Sequence, residues 1–431
     1  FDEKRIFSHG EEVSSFNLKG INLGIFVCED IWVHNTPSKL NGSGIDLAIS
    51  INASPFDINK MGERLEAATN FSKEANAPII YVNQVGGQDE IVFDGNSFLA
   101  DQNGLIKRLG YCESIYERID FNVNDKSFSF KENEENAIDS NDLIYSNLIL
   151  GLRDYVNKNN FPGVVIGISG GIDSAFSACV AADALGPDRV KGILMPSKFT
   201  SNASNEDADQ LGKNLGIGLE SISIEEIVKA YDITLDPIFK GAEKDITEEN
   251  IQSRARGSLL MAYSNKFGHM VLTNGNKSEV SVGYSTLYGD MCGGFSVVKD
   301  LYKSELYKLA AWRNNCVPSA SLLDKKSVIP QNIITKEPTA ELKPNQMDKD
   351  TLPPYEVLDQ ILYLLVEKES SISEIVDKGF DFEVVTKVQN MLYNSEYKRR
   401  QAAPGVKISE RNFGYDRRYP ITNAFRDSKG S

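Results

Sequence analysis

The sequence predicts an α/β chain of two domains, the second a doubly wound parallel sheet. Three observations carry this expectation. At 431 residues the chain exceeds one ordinary domain. Short β-branched runs alternate with helix-length stretches over most of its length. Between them, residues 131–142 hold five acidic residues and one lysine with a single branched aliphatic, the composition of a solvated linker.

In the first domain, Ile21 to Val27, Leu47 to Ile51 and Ile79 to Val82 are apolar runs that read as strands, with a helix from about Met61 to Ala75 between the last two. Asp101-Gln102-Asn103-Gly104 separates Ser97–Ala100 from Leu105–Leu109, a hairpin signal. In the second domain, Val164-Val165-Ile166 reads as a buried parallel strand, and Ala175 to Leu185 as a helix stopped by Gly186 and Pro187. Val190 to Met195 and His269 to Leu272 are further strands. The Pro-rich stretch from Ile329 to Pro354 is long for a structureless loop and reads as a lid or a disordered segment, before helical patterns resume at Tyr355–Glu367 and Phe382–Tyr393. The boundaries are a first domain over residues 1–120, a linker over 121–142, a second domain over 143–425 and a tail over 426–431. Phe1 in place of a methionine suggests that the chain begins inside a larger protein.

Composition excludes several function classes. A net charge of −15 argues against a nucleic-acid partner, whose phosphates require clustered Lys and Arg. No apolar run reaches the length of a membrane span, so no membrane partner is expected. Cys28, Cys112, Cys179, Cys292 and Cys316 are odd in number and form no C-x-x-C, which points to a reducing cytoplasm rather than zinc or a disulfide framework. His9, His34 and His269 are too scattered for a His-built metal site or a Ser-His-Asp triad.

The informative stretch is Gly167-Ile168-Ser169-Gly170-Gly171-Ile172-Asp173-Ser174. Lying between a strand and a helix, it aims backbone N–H groups and the positive helix end at a phosphate, with Ser169 and Ser174 as added donors. Asp173 would repel a bare phosphate, so a Mg²⁺ ion between them is expected. No G-x-x-x-x-G-K-[ST] occurs, and no G-x-G-x-x-G follows this strand.

The Ser-Gly-Gly-Ile-Asp-Ser order resembles the pyrophosphatase loop of ligases that split ATP into AMP and pyrophosphate. Later blocks narrow the resemblance: Glu249-Asn250-Ile251-Gln252-Ser253-Arg254, Leu272-Thr273-Asn274-Gly275-Asn276-Lys277-Ser278-Glu279, Tyr288-Gly289-Asp290 and Tyr397-Lys398-Arg399-Arg400-Gln401. In this order, over nearly all of residues 143–425, they are similar to the NAD synthetase family. The resemblance implies that the nicotinate carboxylate of deamido-NAD attacks the α-phosphate of ATP, that pyrophosphate leaves, and that ammonia displaces AMP. It implies Asp173 and Glu279 as Mg²⁺ ligands, and ATP contacts from Gly167 through Ser174, from Asn274 and from Lys303. It implies deamido-NAD contacts, direct or supporting, from Asn250, Arg254, Glu279, Asp290 and Lys398, and at least a homodimer. Asn274 departs from the family, which commonly has Thr before this Gly.

Cys28 ends an apolar strand, a common place for a nucleophile. With Asn52-Ala53-Ser54-Pro55-Phe56, Lys60, Arg64, the Tyr81–Glu90 run and Phe93-Asp94-Gly95, residues 1–120 resemble the nitrilase-like amidase domain fused to bacterial NAD synthetases, here the C-terminal part of an α-β-β-α sandwich. By that resemblance Cys28 attacks the amide of glutamine, and Ser54 and Lys60 bind it. The family's Glu and Lys precede the cysteine, and its lysine precedes a Phe-Asp-Glu segment that matches Phe1-Asp2-Glu3. Glu3, Lys4 and Glu29 do not match, so the amidase half is expected to be incomplete here.

Alternatives are another AMP-forming amidotransferase and a nucleotide-binding regulator without catalysis; Asp173, Glu279 and Lys303 together weigh against the latter. Between Lys398 and Arg418 there are seven basic and two acidic residues, which reads as an ordered basic strip beside the two anionic nucleotides.

Overall fold

The computed structural model describes residues 6, 8, 14–32, 44–131, 138–344 and 346–427, in two compact units. Phe1-Asp2-Glu3, Lys4, His9, His34, residues 132–137 of the linker and the end of the tail lie outside the described residues.

The first unit comprises residues 1–86 and 92–139. Strands β1 (Ser15–Leu18), β2 (Ile21–Val27), β3 (Leu47–Asn52) and β4 (Ile79–Asn83) are followed by the two-stranded pair β5 (Val85–Gln88) and β6 (Ile91–Asp94), then β7 (Phe98–Asp101) and β8 (Gly104–Arg108). The main sheet has the order β1-β2-β3-β4-β7-β8, with β2, β3 and β4 parallel and the outer pairings antiparallel. Helix α1 (Lys60–Ala75) covers one face. Its Ala68 and Phe71 bury against Phe26, Ala48, Ile79 and Tyr81. The expected strands, helix and hairpin are therefore present within a residue or two, as one sheet and helix of the expected sandwich. One boundary is corrected: β9 (Ile119–Asn122) and β10 (Ser127–Phe130) pair as a hairpin inside the stretch assigned to the linker. Phe121 packs on Phe128 at 5.4 Å between ring centres, a contact that composition alone hides.

The second unit comprises residues 87–91 and 140–431. Its sheet is built from β11 (Val164–Ile168), β12 (Val190–Leu194), β13 (Gly218–Ser221), β14 (Met270–Thr273) and β15 (Phe295–Ser296), all parallel, in the order β13-β12-β11-β14-β15. Helices α2 (Ser140–Lys158) and α3 (Ile172–Leu185) pack together, Tyr145 edge-on to Phe176. α4 (Asn202–Leu215), α5 (Glu225–Phe239) and α6 (Ile246–Phe267) follow, and Leu260 of α6 joins Val165, Ile193 and Val271 in the core. Sheet strands buried on both faces explain why Val164-Val165-Ile166 reads as a continuous apolar run. After α7 (Lys277–Val282), α8 (Lys303–Asn315) and the short α9 (Gln331–Thr335), the C-terminal helices α10 (Tyr355–Val366), α11 (Ile372–Asp377) and α12 (Phe382–Asn394) form an apolar cluster with Val280 and Val282. Among the described residues no helix is long and apolar enough to cross a membrane.

Candidate active site

The strand order fixes where the second unit can hold a ligand. From β11 the chain winds outward through β12 and β13, then returns to lay β14 and β15 on the other side. Connections diverge between β11 and β14, opening a crevice at their carboxyl ends. The two loops flanking it are Ser169–Gly171 before α3 and Asn274–Asn276 before α7.

The first loop is the Gly-rich stretch. Gly170 has φ +76°, and a Cβ there would stand 2.3 Å from the Ser204 carbonyl oxygen. Only glycine fits. Ser174 Oγ lies 3.1 Å from Ser169 Oγ and donates to the Gly171 carbonyl at 3.1 Å, and among the described residues no side chain caps α3. We expect Gly170→Ala to lower the thermal midpoint, because a side chain at this φ is strained and meets the Ser204 backbone; a thermal melt checks this.

The second loop meets the first through charge. Lys303, at the start of α8 and buried, lies 2.5 Å from Asp173 Oδ2 and 3.0 Å from Glu279 Oε1. Asn276 donates to Asp173 Oδ1 at 2.7 Å and caps α7 by accepting from the Glu279 N–H. Asp348 is close by, held by the hydroxyls of Tyr355 at 2.9 Å and Tyr284 at 3.3 Å. Burial, with Asp173 and Asp348 nearby, pushes the Glu279 carboxyl up to about 8 against the pull of Lys303. Burial disfavours the charge on Lys303, but the two carboxylates outweigh it and raise its pKa. Three carboxylates around one ammonium leave excess negative charge.

Beside this cluster, α6 meets the loop from Gly283 to Asp290. Asn250 Oδ1 accepts from Thr286 Oγ1 at 2.7 Å, Ser253 Oγ accepts from the Asp290 N–H at 3.0 Å, and Arg254 Nε donates to the Leu287 carbonyl at 3.2 Å. Asn250 is not a helix cap: α6 begins at Ile246, capped by Asp245 with a reciprocal bond from Glu248. Lys398 donates to the carbonyls of Gly283 at 2.7 Å and Ser285 at 2.6 Å, and burial lowers its pKa despite Asp290 nearby. Asn250, Arg254 and Lys398 thus brace the loop that carries Asp290.

Part of the Pro-rich stretch folds over the crevice. Glu341 accepts from Ser204 Oγ at 2.7 Å and Ser201 Oγ at 3.0 Å and lies 3.2 Å from Lys336 Nζ, while Gln252 holds the Leu342 carbonyl at 3.0 Å. Together these elements enclose a cavity of about 300 Å³. Gly167 through Ser174, Asn274, Glu279, Asp290 and Lys303 line it; Asn250, Arg254 and Lys398 do not.

The basic strip is corrected by its contacts. Arg399 pairs with Glu396, Arg400 with Glu396, Lys407 with Asp416, and Arg411 and Arg417 with Glu369. Most of its charge is cancelled within the fold, Lys407 by Asp416 inside the strip and the paired arginines by Glu369 and Glu396, which lie outside the window in which the excess was counted. Sequence reasoning also missed Asp348, Tyr284, Tyr355 and Arg256. Arg256 could have been found from periodicity: two residues past Arg254 it faces about 200° around the helix.

In the first unit, β2 ends in a sharp turn that puts Cys28 at φ +43°, with the Asp30 carboxylate accepting from the Val27 N–H at 2.8 Å. Ser54 Oγ accepts from Arg64 Nε at 3.0 Å, and buried Arg64 pairs with Asp94 at 2.8 Å. Among the described residues the buried Tyr81 hydroxyl has no hydrogen-bond partner; burial pushes its pKa up to about 12, offset by Arg64 and Ser54, with Cys28 also close enough to act on it. Lys60 pairs with Glu63 at 2.7 Å and rests 5.0 Å from the centre of the Trp32 ring. Among the described residues, no three acidic, His or Cys side chains are grouped as a metal site.

A parallel sheet with a Gly-rich loop and a Lys–carboxylate cluster at its switch point is the arrangement expected of pyrophosphatase-loop ligases, and a nitrilase-like unit precedes it in the chain. The family model for NAD synthase matches residues 144–402, and that for carbon-nitrogen hydrolase matches residues 1–111. The glutamine-dependent NAD(+) synthetase of Acinetobacter baylyi is 45% identical over 428 residues, covering 99% of this chain and 77% of its own length. That of Thermotoga maritima is 44% identical over 461 residues, covering 99% and 79%. The solved glutamine-dependent NAD+ synthetase of Acinetobacter baumannii in complex with ADP has a TM-score of 0.73 at 41% identity, covering 100% of this chain and 78% of its own. The chain belongs to the NAD synthase family. The stretch that the hydrolase model matches contains Cys28, Ser54, Arg64 and Asp94, and the expectation of an incomplete amidase half finds no support in that match.

Proposed function

We propose that this chain adenylates the nicotinate carboxylate of deamido-NAD with ATP and amidates it with ammonia drawn from glutamine, giving NAD, AMP and pyrophosphate. The observation that carries this reading is the Asp173–Lys303–Glu279 cluster facing the Gly-rich loop across the switch-point crevice. The carboxylate oxygen of deamido-NAD bonds to the α-phosphorus as the bond to pyrophosphate breaks; ammonia then attacks the carbonyl and AMP leaves with that oxygen. The loop and the α3 N-terminus receive the departing phosphates, and Lys303 adds fixed positive charge where negative charge develops. Asn274 sits at the loop with an Oδ1 that has no partner among the described residues, which supports a nucleotide contact there. Asp290, in the cavity wall, and its braces Asn250, Arg254 and Lys398 set the deamido-NAD side.

The donor chemistry of the cluster fits Mg²⁺: Asp173 and Glu279 are hard oxygen ligands in a site with excess negative charge, and phosphates would complete the shell. Bound there, the ion would neutralise charge on the ATP phosphates. In the first unit Cys28 is the thiolate that attacks glutamine, with Ser54 and Lys60 on the glutamine side; the strained turn at Cys28 supports this role. Among the described residues the five cysteines form no disulfide, which supports a cytoplasmic location.

Deamido-NAD, ATP and ammonium with Mg²⁺ should yield NAD, and chelation of the metal should stop it; ATP turnover that needs no deamido-NAD would overturn the reading. We further propose a homodimer through the second unit. α5 has no buried residue, and Ile233, Ile238 and Ile246 are 67%, 76% and 65% exposed, the character of a surface that a second copy covers. In sedimentation, the paired change Ile233→Asp and Ile238→Asp should convert a dimer to a monomer; an unchanged coefficient rejects this face.

A further inference from the structure

Arg256, Lys303 and Lys336 are the cations among the described residues that line the cavity. Two are committed. Lys303 sits between Asp173 and Glu279, and Lys336 donates to Ser204 Oγ at 2.5 Å and lies 3.2 Å from Glu341. Arg256 differs. Its Nε donates to the Met195 carbonyl at 3.0 Å, which fixes the plane of the guanidinium. Neither of its terminal amino groups has a hydrogen bond or ion pair among the described residues. Burial pulls its pKa down to about 10, with Glu341 the one charge that opposes this. That carboxylate is already taken by Ser201, Ser204 and Lys336. A poorly solvated guanidinium with its fork open to a cavity gains most from an anion that accepts two bonds at once.

Its place in the sheet narrows the choice of anion. Met195 follows β12, whereas Asp173 follows β11 and Glu279 follows β14, so Arg256 lies on the far side of the Gly-rich loop from the Lys303 cluster. A triphosphate whose β- and γ-phosphates rest on that loop and cluster presents its adenosine side here. Met195 and Leu260 give that side an apolar floor: their methyl groups come within 3.0 and 3.4 Å of where a Cβ on Gly167 would sit.

Resting on the function proposed above, we infer that Arg256 binds the α-phosphate of ATP and keeps hold of it as AMP after pyrophosphate has left. It is the charge that stays with the adenylate through both half-reactions, while Lys303 serves the leaving group.

The test is calorimetric titration of the full chain and of Arg256→Met and Arg256→Lys with ATP, AMP and adenosine. Arg256→Met should weaken ATP and AMP at least tenfold and leave adenosine within twofold. Arg256→Lys should bind AMP with intermediate affinity, since it keeps the charge and loses the fork, and it serves if the Met variant fails to fold. AMP affinity unchanged, or adenosine weakened as much as AMP, overturns the assignment; the latter would mark a base contact or a structural role. Wild-type chain that binds no ATP would instead remove the proposed function itself.

Discussion

Asp173→Asn should lower deamido-NAD-dependent pyrophosphate release by at least about 100-fold, the scale set by removing one preorganised charged group from a reacting centre. The change keeps size and one hydrogen-bonding oxygen but deletes the charge that faces Lys303 at 2.5 Å. It also deletes one of the two carboxylates proposed to hold Mg²⁺, and it leaves Asn276 with a neutral partner in place of the charged one at 2.7 Å. α3 carries Asp173 in its first turn, where a negative side chain favours the helix by only about 0.3–1 kcal/mol. The fold should therefore survive. A coupled pyrophosphate assay with ammonium as nitrogen donor, beside a thermal melt, reads both quantities. Release near the wild-type rate, with an unchanged melt, removes Asp173 from the site.

Lys277→Met should destabilise the second unit by about 3–5 kcal/mol, the cost of leaving a buried charge without its partner. Lys277 belongs to the same Asn-Lys-Ser-Glu block as Glu279, yet it points away from the cavity. Its ammonium is fully buried, pairs with Glu367 and with Asp300 at 3.0 Å, and donates to Ser409 Oγ and the Arg411 carbonyl at 2.6 and 2.8 Å. Burial opposes its charge, but Asp300 and Glu367 outweigh this and raise its pKa. The residue therefore ties α7 and the Glu279 loop to the C-terminal segment. Urea denaturation followed by fluorescence should show the second unit unfolding earlier, and adding Glu367→Gln should restore part of the loss. A midpoint shift below the size of an ordinary surface substitution would contradict the buried network.

Much of this arrangement was legible in the residues. β11, the Gly-rich loop and α3 follow from one stretch, because local propensity, turn chemistry and burial agree there. Asp173, Glu279 and Lys303, far apart in sequence, were gathered by family resemblance rather than by any local signal. Contacts that need the third dimension were not legible. Arg256 reads as half of an Arg-x-Arg pair until the helix turns it into the cavity. Lys398 reads as a ligand contact, and nothing local in its sequence shows that its ammonium also donates to the carbonyls of Gly283 and Ser285. The basic strip misled because two of its acidic partners, Glu369 and Glu396, sit outside it. The hairpin of β9 and β10 alternates apolar and polar residues throughout, but each strand is only four residues long and the pair adjoins the acidic stretch that reads as linker.

The central claim is that the nicotinate carboxylate is adenylated before it is amidated. It is tested most directly by giving the chain deamido-NAD labelled with ¹⁸O in both carboxylate oxygens, together with ATP, Mg²⁺ and ammonium, and weighing the products by mass spectrometry. The account predicts one ¹⁸O in the phosphate of AMP, one in the amide of NAD, and none in pyrophosphate. Unlabelled AMP, or label appearing in ADP or inorganic phosphate, would contradict it.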